Sequence, residues 1–515
     1  MPCHQRSESR HYGRQMIPTP GTSPTLSFLG AAGTVTGSKY LVRTVEGHQV
    51  LVDCGLFQGR KELRLRNWDP LKADPGEIDA VILTHAHIDH CGYLPRLVAD
   101  GFAGPVWCTP GTAQLVRIML PDSGHLQEEE AEFANRRGYS RHHPAMPLYT
   151  EEQAITALAQ LRTVEFARPT EILPGMVITM RHAGHILGAA SLELELTTSA
   201  TRVLFSGDLG RQNHPLLRAP DPLSTDSTSS TRNFDAVICE TTYGDEDHPS
   251  EAEVTTRLSH QTHPNVHQQL GSIVNSTAER GGVILIPAFA VDRTEILLHH
   301  LDTLRAAGEI PDIPIFVDSP MASAALKVYR SEAMRGSAEF RPETHGKELF
   351  PNISVIETTS VDDSKSLNTM SGPMIIISAS GMATGGRILH HLAARMGDER
   401  NSIVLAGFQA PGTRGSRLLA GEKMIKLLGA YRQVAAEIHS VTLSAHADRS
   451  ELTSWLKSAL LPADPNDRSR CVIYLTHGEP SASAAFAEHL SGVPEIASRA
   501  IIVTPVHGEV VRLDQ

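Results

Sequence analysis

From Thr25 onward, apolar and polar residues alternate over short runs (TLSFLG, SKYLVRT, HQVLVDCG) separated by glycine-bearing turns, which predicts antiparallel strands opening a sheet. IDAVILTH is a continuous apolar run and predicts a buried strand, followed by a helix over 94–100. Residues 123–162 are polar with helical spacing (HLQEEEAEFANRRG, then TEEQAITALAQLR) and predict an elaboration over one edge. MVITMRHAGH, ASLELELT and TRVLFSGD predict three further strands, and the Pro/Ser/Thr-rich stretch 219–233 a surface loop.

After the strand FDAVICE the rhythm changes. GVILIPAF, IPIFVD and GPMIIISA are each followed by a helical stretch, beginning near Asp292, Met321 and Gly386, and NSIVLAGF adds a fourth apolar run. Strands alternating with helices over short links predict a doubly wound parallel sheet. SVTLSAH, a helix from Arg449, RCVIYLTHGE and a helix near 482–490 return to the earlier flavour. That resumption predicts one discontinuous domain carrying a second domain inside it.

Composition narrows the class. With 41% apolar and 20% charged residues in 515, a buried core is affordable and global disorder is excluded. No apolar run approaches the ~18 residues of a membrane span. The N-terminal segment MPCHQRSESRHYGRQ is not read as a secretory signal, which has an apolar region this stretch lacks. Six cysteines without a CxxC read as reduced thiols in a cytoplasmic protein. The balance of 46 basic against 58 acidic residues, net −12, argues against a broad basic coat for nucleic acid but not against a local basic track. The 26 histidines, about one residue in twenty, carry meaning only through their spacing.

THAHIDHCGYLP supplies that spacing. His85, His87, Asp89 and His90 follow a strand end; alternate residues share a side, so His85 and His87 can grip one ion while Asp89 and His90 turn toward a neighbouring one. His185, Asp208 and His477 end other predicted strands beside glycines and are candidates to complete two sites, with Asp208 bridging. Imidazole and carboxylate donors without thiolate favour zinc, with manganese or iron as alternatives. Asp53 in VDCG reads equally as a hydrogen-bond partner of a ligating histidine or as a turn-forming aspartate.

These residues resemble the metallo-β-lactamase fold of dinuclear hydrolases. FDAVICETTYG, IPAFAVDRTEILLHHL, VDSPMASAALKVY, SASGMATGGRILHHL and LAGFQAPGTRGSRLL are similar to the β-CASP insert of RNA-processing nucleases, and SAHAD and LTHGE fit the end of that pattern. The resemblance covers about residues 23–515. It implies an α/β protein: a metallo-β-lactamase αββα sandwich with an inserted doubly wound β-CASP domain, related to bacterial and archaeal β-CASP ribonucleases and the pre-mRNA 3′-end endonuclease. The expected division is a flexible lead over 1–22, the sandwich over 23–244 and 433–515, and the insert over 245–432. By position Glu240, His446 and His477 match the three β-CASP motifs, and histidine at the third accompanies RNA-type members. The polar extension 462–470 and the padded stretch 251–276, with His260, His263 and His267, depart from the pattern.

The implied chemistry is phosphodiester hydrolysis by a hydroxide held on two metals, giving 5′-phosphate and 3′-hydroxyl ends, mainly endonucleolytically. His85, His87 and His185 are expected on one ion, Asp89, His90 and His477 on the other. His446 is expected as general acid, oriented by Glu240, or else as a neighbour of a helix cap. Ser378, Ser380, Arg387, Arg414 and Arg417, around a Gly-rich loop that opens a helix, are candidate phosphate contacts. The partners expected are RNA, no membrane, and self-association into a homodimer left open. A DNA nuclease, a small thioester or lactam hydrolase, and a silent scaffold subunit are the alternatives; the large insert argues against the ester hydrolase and the full ligand set against the scaffold.

Overall fold

Pairing of the alternating runs builds two seven-stranded sheets. In the computed structural model, which describes residues 23–138, 142–223, 233–248, 266–407, 409–410, 412–460 and 470–514, the first sheet runs Val510–Arg512, Thr25–Phe28, Tyr40–Arg43, Gln49–Val52, Ala80–Ile82, Val106–Cys108 and Leu161–Thr163. The second runs Ala500–Val503, Cys471–Thr476, Ala236–Glu240, Thr201–Phe205, Ala190–Leu196, Met176–His182 and Thr170–Leu173. The expected lead 1–22, residues 224–232 of the loop, His260, His263 and residues 462–469 of the extension lie outside the described residues.

The inner faces of the two sheets share one core: Leu26, Phe28, Val42, Val52 and Ile82 from the first meet Ile178, Leu192, Val203, Phe205 and Ile238 from the second. Phe28, Tyr40, Phe205 and Tyr474 stack across it with centroids 5.2–6.2 Å apart. Each such buried side chain contributes about 1.5–3 kcal/mol. With helices on the outer faces this is the αββα sandwich. Both sheets are antiparallel toward one side and parallel toward the other: Val52 pairs beside Ile82, Phe205 beside Ile238, and Glu240 beside Thr476. Parallel pairing brings the carboxyl ends of these strands to one rim, where α/β sheets place their sites.

The third sheet is wholly parallel, in the order Val355–Glu357, Ile315–Val317, Met374–Ala379, Val283–Ala288, Ser402–Ala406, Glu437–Val441. Ile284 and Ile286 face helices Arg293–Ala306 and Pro320–Arg335, whereas Val283 and Leu285 face Ile388–Arg395 and Arg414–Leu419, so the sheet is doubly wound. Its last strand lies beyond residue 432, the end expected for the insert.

The elaboration expected from 123 begins earlier. One helix spans Pro110–Arg137, started by the Thr109 side chain accepting from Thr112 N and ended by Gly138 at φ 63°. Leu115, Val116, Met119 and Leu120 in its first half are buried in the core, so only its second half reads as polar. It packs on Glu151–Ala157 and on Pro320–Arg335 of the inserted unit. The five cysteines among the described residues are buried and unpaired, and no helix among them is long and apolar enough to cross a membrane.

Candidate metal centre

Six strand ends deliver the polar cluster. Asp53 follows Gln49–Val52, His85 to His90 follow Ala80–Ile82, His185 follows Met176–His182, Asp208 follows Thr201–Phe205, Glu240 closes Ala236–Glu240, and His477 follows Cys471–Thr476. The loops touch backbone to backbone, and glycine permits it at two points. A Cβ at Gly55 would stand 1.6 Å from Asp89 O, and one at Gly210 1.8 Å from Gly184 O.

Two sets of donor atoms converge. His85 Nε2 and His185 Nε2 lie 3.2 and 3.1 Å from His87 Nδ1, and 3.5 and 3.7 Å from Asp208 Oδ2. His90 Nε2 lies 3.1 Å from His477 Nε2 and 3.3 Å from Asp208 Oδ1, with Asp89 Oδ2 3.5 Å from His477 Nε2. Asp208 thus turns one oxygen to each set. A tetrahedral ion with bonds of about 2.0–2.1 Å spaces its donors about 3.3–3.4 Å apart, close to these separations.

The outer ring atoms explain why the inner ones face one another. His90 Nδ1 donates to Asp53 Oδ2 at 2.8 Å, His85 Nδ1 to the Thr84 hydroxyl at 3.1 Å, His185 Nδ1 to Ala445 O at 3.2 Å and His477 Nδ1 to the Thr242 hydroxyl at 3.1 Å. Each ring proton is committed outward, so the inward nitrogens of these four histidines present lone pairs. Asp208 Oδ1 is buried without a hydrogen-bond donor. Lone pairs and an orphaned carboxylate oxygen gathered in a dry pocket fit cations at their centre. The carboxylates favour positive charge at this place, carried by a proton on the ring where no cation is bound. Burial opposes charging His90, yet Asp208 and Asp53 carry its pKa well above the ordinary value.

Asp53 therefore serves the histidine rather than only its turn. It sits at φ 57°, 1% exposed, with Oδ1 also accepting from Thr84 N at 2.8 Å. His446 lies outside both sets. Its Nδ1 faces both Glu240 oxygens at 3.2 Å, and Ala447 N donates to Leu209 O at 2.7 Å, fastening this loop to the one bearing Asp208. Burial resists its protonation, but Glu240 and then Asp208 raise its pKa above the usual histidine range. The His446 side chain is 20% exposed, whereas Glu240 is buried. The helix cap beside it is Asp448, which accepts from Glu451 N.

The residues expected to contact phosphate have internal partners. Ser378 donates to Asp318 O, and Ser380 accepts from Thr384 N and Gly385 N within its own loop. Arg387 is held by Asp318, Thr358 O and Thr359 O; Arg414 by Lys426, Ala383 and Thr384 carbonyls; Arg417 by Glu422. These bonds tie the Gly-rich loop to its surroundings. His391 is likewise packed, with Nε2 2.6 Å from Asp318 Oδ2. Thr84 and Thr242, which fix ring orientations, were not singled out from sequence; their adjacency to His85 in THAH and to Glu240 in ETT is the signal that marks them.

Residues 32–239 match the Metallo-beta-lactamase superfamily, 294–418 the Beta-Casp domain, and 431–500 the Zn-dependent metallo-hydrolase RNA specificity domain. The chain is 34% identical over 466 residues to Ribonuclease TTHA0252 of Thermus thermophilus, spanning 90% of this chain and 95% of that protein. It is 28% identical over 473 residues to Transcription termination factor FttA of Methanocaldococcus jannaschii, spanning 90% and 68%. An RNase J-like protein of the same organism is 28% identical over 468 residues, spanning 90% and 94%. A solved structure of a protein of unknown function from Enterococcus faecalis has a TM-score of 0.50 at 14% identity, over 95% of this chain and 100% of that one, a likeness of fold alone.

Proposed function

The chain belongs to the β-CASP family of the metallo-β-lactamase superfamily, and on that premise we propose that it is a metal-dependent ribonuclease with a dinuclear zinc centre. The observation that carries the reading is Asp208, which aims one oxygen at each of two inward-facing ligand sets within reach of the His446–Glu240 pair. His85, His87 and His185 would hold one ion and Asp89, His90 and His477 the other, with an oxygen of Asp208 available to each and Asp53 orienting His90. Manganese or iron would suit the same donors. When bound, the pair of cations supplies an activated water and positive charge for the phosphate oxygens.

The protein's own groups do the rest. Glu240 fixes the Nδ1 proton of His446 and stabilises the charged ring, so Nε2 holds the proton that a leaving 3′-oxygen needs. The products are a 5′-phosphate and a 3′-hydroxyl, cut mainly at internal bonds. RNA is the favoured substrate over DNA because its named relatives include ribonucleases and His477 stands in the third motif. The inserted unit is taken to run from about 245 to 441, with self-association into a homodimer and a cytoplasmic location as further parts of the reading. Matched RNA and DNA strands, labelled internally and at the 5′ end, test it: chelator-sensitive internal cutting of RNA alone is expected. Cutting of DNA alone, or of neither strand by metal-loaded protein, contradicts it.

A further inference from the structure

Behind the His185 loop a chain of hydrogen bonds enters the inserted unit. Leu187 N donates to the Tyr329 hydroxyl at 3.0 Å, and that hydroxyl donates to Asp292 Oδ1 at 3.4 Å. His214 Nε2 reaches the same oxygen at 3.0 Å; its Nδ1 accepts from Leu216 N and Leu217 N, so Nε2 carries the proton. These bonds hold Asp292 at φ 68°, ψ −53°, where Arg293 N donates to Val291 O at 2.9 Å. That is a γ-turn of the strained kind, rare for a residue with a side chain, and such strain persists only where the surroundings over-determine it.

The turn delivers Arg293. It opens a helix of 14 residues, Arg293–Ala306, and is 7% exposed, yet Nε and Nη1 lack any hydrogen-bond partner. Among the described residues no carboxylate lies within ion-pair reach of the guanidinium. The guanidinium lies against Gly407, where a Cβ would stand 3.6 Å from Cζ and Nη1, an ordinary contact. Its electrostatic neighbours are Asp292 and Tyr243, and the Tyr243 ring lies 6.2 Å from that of His446. A permanently charged, desolvated and unpaired guanidinium is costly to a free protein, so its retention here, one side chain behind the reactive cleft, points to an anion that arrives later.

We propose that Arg293 binds a backbone phosphate of RNA flanking the one at the metal centre, with the strained turn at Asp292 as the device that aims it. The inference rests on the ribonuclease reading. A guanidinium grips a phosphate through paired N–H donors and gains most where water is excluded.

The test is kcat/KM for a single-stranded RNA across a salt series, with metal content and Tm measured on the same preparations. Arg293→Met should lower kcat/KM about 10- to 100-fold, the loss of hydrogen bonds to a charged group. It should make the slope of log(kcat/KM) against log[salt] shallower by about 0.7, one phosphate contact fewer. Arg293→Lys should restore the slope. Tm without RNA should not fall in Arg293→Met, since an unpaired buried charge is removed. An unchanged slope, or a fall in Tm or failure to fold in Arg293→Met, overturns the proposal by making Arg293 a structural residue. A wild-type protein that does not cut RNA overturns the ribonuclease reading instead.

Discussion

Asp53→Asn isolates one hydrogen bond. Asp53 lies at φ 57°, a conformation asparagine adopts readily, so the backbone is not disturbed. The Asn oxygen can keep the donors from Thr84, at 2.8 Å from N and 3.0 Å from Oγ1. The amide nitrogen then takes the place of Oδ2, 2.8 Å from His90 Nδ1, and two donors meet. Relief requires the His90 proton to move to Nε2, the atom 3.3 Å from Asp208 Oδ1 and 3.1 Å from His477 Nε2. That proton removes a ligand lone pair. Loss of such an outer partner weakens metal binding about 10- to 100-fold, or about 1.4–2.7 kcal/mol. In the first set the outer partner of His85 is the Thr84 hydroxyl, whose bond to position 53 the Asn oxygen keeps, and that of His185 is Ala445 O, so the second ligand set should suffer most. Competition with a graded chelator, read by metal analysis, should therefore show one site unchanged and one weakened. Wild-type affinity at both sites would refute the role given to Asp53, and equal weakening would refute the separation into two sets.

His446→Ala should lower kcat by about 10²- to 10⁴-fold with KM nearly unchanged, as loss of a general acid does, and metal content should stay at the wild-type value; a KM effect alone would contradict the role. Glu339 tests the seam between the sandwich and the insert. It accepts from Gly188 N, and burial raises its pKa to about 7. The folded state therefore holds a proton that the unfolded chain, near 4.5, releases earlier, so stability is lost as pH rises from about 4.5 to 7, by about 3 kcal/mol at most. Glu339→Gln should melt higher than wild type above pH 7 and converge with it below pH 4.5; parallel curves would contradict the shift.

The candidate ligands were legible in the sequence where local spacing governs them. HAHIDH packs four donors into six residues, and its strand end follows from the apolar run IDAVILT. His185, Asp208 and His477 were legible as strand ends, and strands that run the same way in one sheet bring such ends to one rim. Arginines near a Gly-rich loop look alike in sequence whether they face a ligand or brace the loop, so the bonds of Arg387 and Arg414 to the carbonyls around it became visible only in the structure. The start of the helix Pro110–Arg137 was hidden because its buried first half lacks the polar face that marked its second. Arg293 was invisible for a different reason. A cation in the first turn of a helix gives no sign of being unpaired until its surroundings are assembled.

The most direct test of the central claim pairs metal analysis with RNA cleavage on the same preparation of wild type and Asp208→Asn. Two bound metal ions per chain, chelator-sensitive RNA cutting to 5′-phosphate ends, and loss of cutting in Asp208→Asn are the results the account predicts. Full activity in Asp208→Asn, or cutting by pure metal-free protein, would contradict it.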